Sequence, residues 1–219
     1  MRVDWVIQPP SFVRALFPGS LWRGDWNRKV VYLTFDDGPV PEQTPWVLDL
    51  LNKYGIKATF FCVGDNVRKH PELFNRIVSE GHTVGNHTFN HIPYFRRGVS
   101  FSDYCGNIAE CDRVEKYKAD FFRAPHGHVT PWLTHKLTTC CDAFTKLKTF
   151  KKVVFWDVMP KDYDNRLTPE QVFSNVKDFV RCGSIIVFHD SIKAGERMRY
   201  ALEKTIEWLS SEGWTFDKL

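Results

Sequence analysis

Two rhythms of apolar residues alternate along the chain. Short, unbroken runs rich in β-branched and aromatic residues predict strands covered on both faces. Between them, apolar residues recur every three or four positions and predict amphipathic helices. Val30-Val31-Tyr32-Leu33-Thr34-Phe35 is the first unbroken run, and it delivers Asp36-Asp37 to its end before Gly38-Pro39 stops it. A helix is expected from Pro41-Glu42, with Trp46, Val47, Leu50, Leu51 and Tyr54 at helical spacing and Gly55 as its stop. Ala58 to Val63 reads as the next strand. Pro71 opens a second helix with Leu73, Phe74, Ile77 and Val78 on its inner face, and Thr83-Val84-Gly85 reads as a short strand running into Asn86-His87. Strand, helix, strand, helix, strand over residues 30–86 is the grammar of a parallel sheet.

The rest of the chain continues the pattern less evenly. Ser102 to Lys118 is expected to be helical on the weak anchors Ile108, Val114 and Tyr117. Thr130-Pro131 starts another helix, and Cys140 to Phe144 reads as a short strand. Val153 to Val158 reads as a continuous strand, Glu170 to Val180 as a helix and Ser184 to Phe188 as a strand ending in His189-Asp190. Met198 to Ser210 reads as a long helix and Trp214 to Phe216 as a last strand. Polar side chains of catalytic type stand at or just past the ends of many strands: Asp36-Asp37, His87, Arg123, Asp162 and His189. A barrel brings all of these to one mouth, whereas a doubly wound sheet leaves the outer ones far apart. The expected fold is therefore α/β, a distorted, TIM-barrel-like (β/α) barrel with about seven parallel strands. Before it, Ser11 to Phe17 suggests a short amphipathic helix capped by Ser11, with Phe12, Leu16 and Phe17 as its apolar face.

Composition narrows the function classes. The 219 residues suffice for one domain with a sizeable core, and the net charge of +4 is dispersed with no basic block, so no nucleic-acid partner is expected. No apolar run is long enough to span a membrane. Asp4, Pro9 and Pro10 interrupt the region where a secretion signal needs apolar residues, so a cytoplasmic location is expected. Arg14 and Trp22-Arg23 beside the first helix leave room for weak peripheral association with the inner membrane face. None of the six cysteines forms a CxxC pair, and no disulfide scaffold is expected. Oligomeric state has no signature.

The chemistry gathers at the acidic pair. Two adjacent carboxylates at a buried strand end repel each other and need a cation or a division of labour, although Asp, Gly and Pro are also ordinary turn formers. His87-Thr88-Phe89-Asn90-His91 places two imidazoles four residues apart, which on a helical turn face one side and can share an ion. With one carboxylate they make a two-His, one-Asp set suited to a first-row divalent metal. Hydrogen-bonded polar residues at a helix start would give the same pattern. Asp65-Asn66 after the second strand either reaches the mouth or caps a helix, and the cap is the favoured reading. Asn86, Asn90, His128 and Asp190 stand near these motifs as candidates for supporting hydrogen bonds.

Thr34-Phe35-Asp36-Asp37-Gly38-Pro39, His87-Thr88-Phe89-Asn90-His91, Arg123-Ala124-Pro125-His126-Gly127, Trp156 through Asp162-Tyr163, and Val187-Phe188-His189-Asp190 follow one another in that order. The series closely resembles the polysaccharide deacetylases of the NodB-homology type, carbohydrate esterase family 4, across about residues 28–216. The resemblance implies a seven-stranded distorted barrel and metal-dependent removal of acetyl groups from N-acetylated sugars or O-acetylated polysaccharides. It assigns Asp37, His87 and His91 to the metal, with zinc the first choice and cobalt the second. It makes Asp36 the general base, Arg123 the group that holds the base and His189 the general acid. Asp162 is the expected partner that tunes His189. Residues 1–27 are then an N-terminal extension packing on the barrel, and residues 28–219 the deacetylase domain. The expected partner is an N-acetylated oligo- or polysaccharide. An amide leaves only with a proton on its nitrogen, which gives His189 a physical task. The sequence departs from the family pattern at Ala124, His126, Met159 and Tyr163, none of which replaces a residue assigned to the chemistry. Two alternatives stay open: a small-amide or O-acetyl ester hydrolase of the same fold, and a catalytically silent carbohydrate-binding protein.

Overall fold

The computed structural model describes residues 4–115, 119–139 and 151–219. In chain order the elements are α1 (Ser11–Ala15), β1 (Val30–Asp36), α2 (Thr44–Lys53), β2 (Thr59–Cys62), α3 (Gly64–Lys69), α4 (Pro71–Ser79) and β3 (Thr83–Asn86). They continue with α5 (Phe101–Glu115), β4 (Phe121–Phe122), α6 (Pro131–Thr139), β5 (Lys152–Val153), α7 (Pro169–Phe179), β6 (Ile185–His189), α8 (Gly195–Ser211) and β7 (Thr215–Asp217). The strands form one parallel sheet in the order β5-β4-β3-β2-β1-β6, with β7 also pairing β1. The strand expected at Cys140 to Phe144 and the anchor Tyr117 lie outside the described residues.

All seven residues of β1 are buried, and their alternation decides where the chemistry goes. Val31, Leu33 and Phe35 face the helices, and Phe35 stacks on Phe60 and Phe188 at centroid distances of 4.9 and 6.4 Å. Val30 and Tyr32 point the other way, into a cluster with Phe61, Val154 and Ile185. Thr34 and Asp36 share that inner face by the period of two. Complete burial of each such phenylalanine is worth about 1.5–3 kcal/mol, so reversing the register would expose the outer set and is strongly disfavoured.

The segment expected as one strand from Val153 to Val158 is broken. Lys152 and Val153 pair with β4, and the chain then crosses so that Val158 pairs with Ile186 of β6. The Val187 N–H donates to the Val158 carbonyl at 3.0 Å. This segment serves the two edges of the sheet in turn and so joins them into a distorted barrel. Leu21 fills the gap by bridging Val154, donating to Val153 O and accepting from Phe155 N at 2.9 and 2.8 Å.

The N-terminal segment packs against the barrel through particular side chains. Ile7 is fully buried, its carbonyl accepts from Met159 N, and Trp22 stacks flat on Phe155 at 4.0 Å. Several local expectations are corrected. Ser11 does not cap α1, because Pro10 occupies the N-cap position, and Phe12 and Leu16 stay exposed. Helix α2 starts at Thr44 rather than Pro41, and Val78 of α4 is exposed. Helix α7 is begun by a capping box between Thr168 and Gln171, as its Thr-Pro start suggests. No described helix is long and apolar enough to cross a membrane.

Candidate active site

The register of the sheet sets Asp36 of β1 directly beside His189 of β6, both at C-terminal strand ends. Arg123 follows β4 and lies fully buried beneath them. Its Nη1 donates to Asp36 Oδ1 at 2.7 Å and to Thr34 Oγ1 at 2.8 Å. Its Nη2 donates to Phe155 O at 3.1 Å, its Nε to Val154 O at 3.4 Å, and the guanidinium lies 4.0 Å from the Phe61 ring centroid. Burial pulls the guanidinium pKa down, and Asp36 opposes that shift. The arginine thus has a fixed orientation, and so does the carboxylate it holds.

Asp37 sits one residue on, in the left-handed region at φ 85°. Its carbonyl accepts from Asn66 Nδ2 at 2.8 Å, and the Gly38 N–H donates to Asp190 Oδ1 at 3.1 Å. Thr44 Oγ1 accepts from Val40 N and donates to Asp190 Oδ2 at 2.6 Å. A Cβ on Gly38 would lie 2.0 Å from the Asp190 carboxylate, so only glycine fits there. Burial, with Asp37 adding to it, pushes the Asp190 carboxyl up to about 8 against the pull of its donors.

His87 and His91 reach the same point as Asp37, but no helical turn carries them. Thr88 and His91 both have positive φ, at 64° and 55°. The loop between them is held by side chains: Asn86 Oδ1 accepts from Thr88 N at 2.9 Å, and Asn107 Oδ1 accepts from Phe89 N and Asn90 N at 2.9 and 3.2 Å. Backbone bonds from Gly64 and Asp65 to the Thr88 and Phe89 carbonyls tie it to the start of α3. The fourfold spacing therefore works through a locked loop, not through helical geometry.

His91 Nε2 lies 3.2 Å and His87 Nε2 3.7 Å from Asp37 Oδ1, and the three candidate ligand atoms are all within 4.8 Å of one another. His87 Nδ1 is 2.8 Å from the Arg123 carbonyl, so that nitrogen carries the hydrogen and Nε2 keeps its lone pair. Burial pushes the His87 pKa down to about 4, which keeps the ring neutral. Burial works against the Asp37 charge, but the hydrogen bond with His91 and the surrounding imidazoles outweigh it and hold its carboxyl well below the ordinary range. Ligands around an ion with bonds of about 2.0–2.2 Å stand a little over 3 Å apart. These residues fit a divalent metal in spacing, in donor chemistry and in the hydrogen bond that fixes the His87 tautomer.

On the other side of the opening, Asp162 grips His189 twice. Its Oδ2 accepts from the His189 backbone N–H and its Oδ1 pairs with His189 Nδ1, both at 2.7 Å. Burial alone would lower the imidazole pKa. Asp162, with Asp37 and Asp36 behind it, raises it instead to about 10. Tyr163 meets the ring edge-on at 5.0 Å. Between the two halves lies a cavity of about 360 Å³ whose walls include Ala124, His126, Trp156, Met159 and, from the N-terminal segment, Val6. The Trp156 indole N–H donates to the Val6 carbonyl at 2.9 Å.

All seven residues assigned from the sequence converge here. Of the supporting candidates, Asn86 braces the histidine loop and Asp190 braces the acidic turn. His128 contacts His126 rather than the Asp37 cluster. Asp65 pairs with Arg68 and Lys69 and caps nothing, while Asn66 reaches Asp37. Thr44, Asn107 and Val6 carry no motif signal. Thr34 opens the motif block over residues 34–39 but has no role assigned to it there, and the inward alternation of β1 is what points to it.

The polysaccharide deacetylase family model matches residues 23–138, a stretch that holds Asp36, Asp37, His87, His91 and Arg123. A Bacillus cereus peptidoglycan-N-acetylglucosamine deacetylase is 31% identical over 204 residues, covering 89% of this chain and 88% of that protein. A chitooligosaccharide deacetylase of a Bradyrhizobium species is 37% identical over 169 residues, covering 76% and 73%. The crystal structure of a peptidoglycan N-acetylglucosamine deacetylase superposes with a TM-score of 0.77 at 29% identity, covering 96% of this chain and 94% of that one. With the match extending over more than half of its length, this chain belongs to the polysaccharide deacetylase family.

Proposed function

We propose that this protein is a metal-dependent hydrolase that removes the acetyl group from N-acetylated sugar units of an oligo- or polysaccharide. The observation that carries the reading is the pairing of two differently prepared proton carriers across one cavity, Asp36 under Arg123 and His189 under Asp162, beside the Asp37, His87 and His91 cluster. The names of the relatives support N-acetylglucosamine units as the substrate class.

Asp37 Oδ1, His87 Nε2 and His91 Nε2 would hold the ion, with zinc the first choice and cobalt the second. When bound there, such an ion supplies Lewis acidity to a water and to the acetyl carbonyl. Asp36 removes the proton from the attacking water, and the hydrogen bond from Arg123 to Oδ1 leaves Oδ2 to face it. As the water oxygen joins the acetyl carbon, the negative charge on the former carbonyl oxygen would be met by a backbone N–H near His126, a residue of the cavity wall. The carbon–nitrogen bond then breaks while His189 gives its proton to the departing nitrogen, yielding acetate and the free amino sugar. Against the pull of burial, the ion pair with Asp162 raises the His189 pKa and keeps a proton on the ring for that transfer.

Acetate release from chitooligosaccharides, peptidoglycan fragments and acetylated xylan tests the proposal, with each assay run with zinc, with cobalt and with chelator. Release from an N-acetylated substrate that chelation abolishes and metal restores is expected. Release from the xylan alone would reject N-deacetylation, and silence on all three with metal bound would favour a small amide.

A further inference from the structure

A second polar site lies away from the cavity just described and does not depend on the reading given to it. Asp157 is fully buried, and three arginines from three segments turn toward it. Arg14 Nη2 and Arg181 Nη2 each lie 2.6 Å from its Oδ1. Arg181 Nε and Ser184 Oγ donate to its Oδ2 at 3.0 and 2.7 Å. Arg23 Nε stands 3.8 Å from that oxygen, buried and with no acceptor in hydrogen-bond geometry, while its Nη2 donates to the Cys182 carbonyl. Arg14, Arg23 and Arg181 together line a cavity of about 670 Å³. Ser184 precedes β6 and Arg181 follows α7, so the cluster belongs to the N-terminal end of β6, the opposite end from His189.

Among the described residues the charges do not balance. One buried carboxylate faces three guanidiniums. Asp4 and Asp178 also border the cavity. Asp4 is taken up by Lys161 at 3.0 Å and by the Val6 and Ile7 backbone N–H groups. Counting Asp178 as negative still leaves positive charge in excess. Burial, together with repulsion from Arg181 and Arg14, lowers the Arg23 pKa despite the nearby Asp157. Guanidinium forks converging from several directions suit a tetrahedral oxyanion, and the cavity has room for one carrying an organic group. Trp5, more than half exposed, lines the cavity together with Arg14 and packs edge-on against the equally exposed Phe12 at 5.3 Å. An apolar lip beside cationic side chains is the arrangement that meets a phosphate at a lipid surface.

We infer that Arg14, Arg23 and Arg181 form a binding site for a phosphate group, taken either as a free ion or as the headgroup of an anionic lipid. Inorganic phosphate, titrated against chloride at constant ionic strength, tests the first source. Flotation with phosphatidylglycerol vesicles, compared with phosphatidylcholine vesicles, tests the second. Both use the whole 219-residue chain loaded with metal. Arg23→Gln and Arg181→Gln are compared with the parent, and Arg113→Gln on α5 controls for bulk charge. Acetate release should be unchanged in all of them, since none belongs to the deacetylase cavity. A saturable rise in Tm with phosphate that exceeds the rise in Arg23→Gln by about 2–4 °C establishes the site with free phosphate as sufficient ligand. Without that difference, flotation with phosphatidylglycerol that falls at least about fivefold in Arg23→Gln and Arg181→Gln, but not in Arg113→Gln, establishes the headgroup as the ligand. Equal behaviour of parent and both site variants in the two assays overturns the inference.

Discussion

Replacing Arg123 with methionine tests whether the base is held by a buried charge pair. The side chains of Arg123 and Asp36 are 1% and 5% exposed and meet at 2.7 Å, so Arg123 cannot turn to solvent, and Asp36 has only the cavity side of its carboxylate open, when the other is removed. Methionine keeps the apolar contact with Phe61 but gives up the donors to Asp36, Thr34, Val154 and Phe155. Breaking a buried pair from one side costs about 3–5 kcal/mol. For a chain of this size that corresponds to a Tm lower by about 6–20 °C. Asp36→Asn breaks the pair from the other side. The double variant leaves no unpaired charge, so its loss should fall short of the two single losses added together by at least about 2 kcal/mol. The measurement is urea unfolding of chelated protein, followed by circular dichroism and tryptophan fluorescence, so that no cation stands in for the missing guanidinium. A loss under about 1 kcal/mol in Arg123→Met, or strict additivity in the double variant, would refute the reasoning. At matched metal loading, Arg123→Met should also lower kcat by about a hundredfold, through the freed carboxylate.

Three further outcomes follow from single contacts. In chelated protein the raised His189 pKa contributes stability that is fully present below about pH 6.5 and is lost as pH climbs through about 10; Asp162→Asn should flatten that slope in pH-dependent urea unfolding and cut kcat by about 100-fold, and an unchanged slope would rule out the ion pair as its source. Gly38→Ala drives a Cβ against the buried Asp190 carboxylate, so calorimetry should show a loss of about 1–3 kcal/mol and a weaker zinc isotherm, while parental values for both would show that the turn can yield. Val6→Trp, at a half-exposed position on the cavity wall, should raise KM for an oligosaccharide about tenfold with Tm and kcat little changed; an unaltered KM would remove the N-terminal segment from the substrate path.

Much of the fold was legible because its signals are local. β1, β2 and β6 are unbroken apolar runs, and both their places and their polar ends follow from composition and stop residues. Helices α4 and α7 announce their starts through Pro71 and Thr168-Pro169. Helix α3 left only the cap reading at Asp65-Asn66 as a trace: Gly64–Lys69 is short and mostly polar, with Val67 and Gly64 as its buried residues. The assigned site residues were legible through motif resemblance, and Asp36, Asp37, His87, Arg123 and His189 stand in or directly after a strand end. Of their supports, Asn86 and Asp190 were legible beside the motifs, but contacts such as Thr44 with Asp190, or Asn107 with the loop after β3, join residues distant in sequence through geometry that periodicity does not encode. The structure brings His87 and His91 to one point beside Asp37, but not by the helical turn that the spacing suggested. A helical turn and a left-handed loop can both bring residues four apart to one side, and only the positive φ at Thr88 and His91 separates them.

The broken strand and the held arginine are one event. A continuous strand over 153–158 would commit its carbonyls to ladder bonds along a single neighbour. The chain instead changes neighbours between Val153 and Val158, and the carbonyls of Val154 and Phe155 turn to the Arg123 guanidinium. That supplies acceptors for a buried cation whose remaining bonds go to Thr34 and Asp36, so the charge is solvated by protein rather than by water. The same crossing places Trp156 on the cavity wall and sends Asp157 to the arginine cluster at the opposite end. Local pattern favours an uninterrupted strand there, and the fold departs from it where Asp36 must be fixed, which is where functional demand is expected to override local preference.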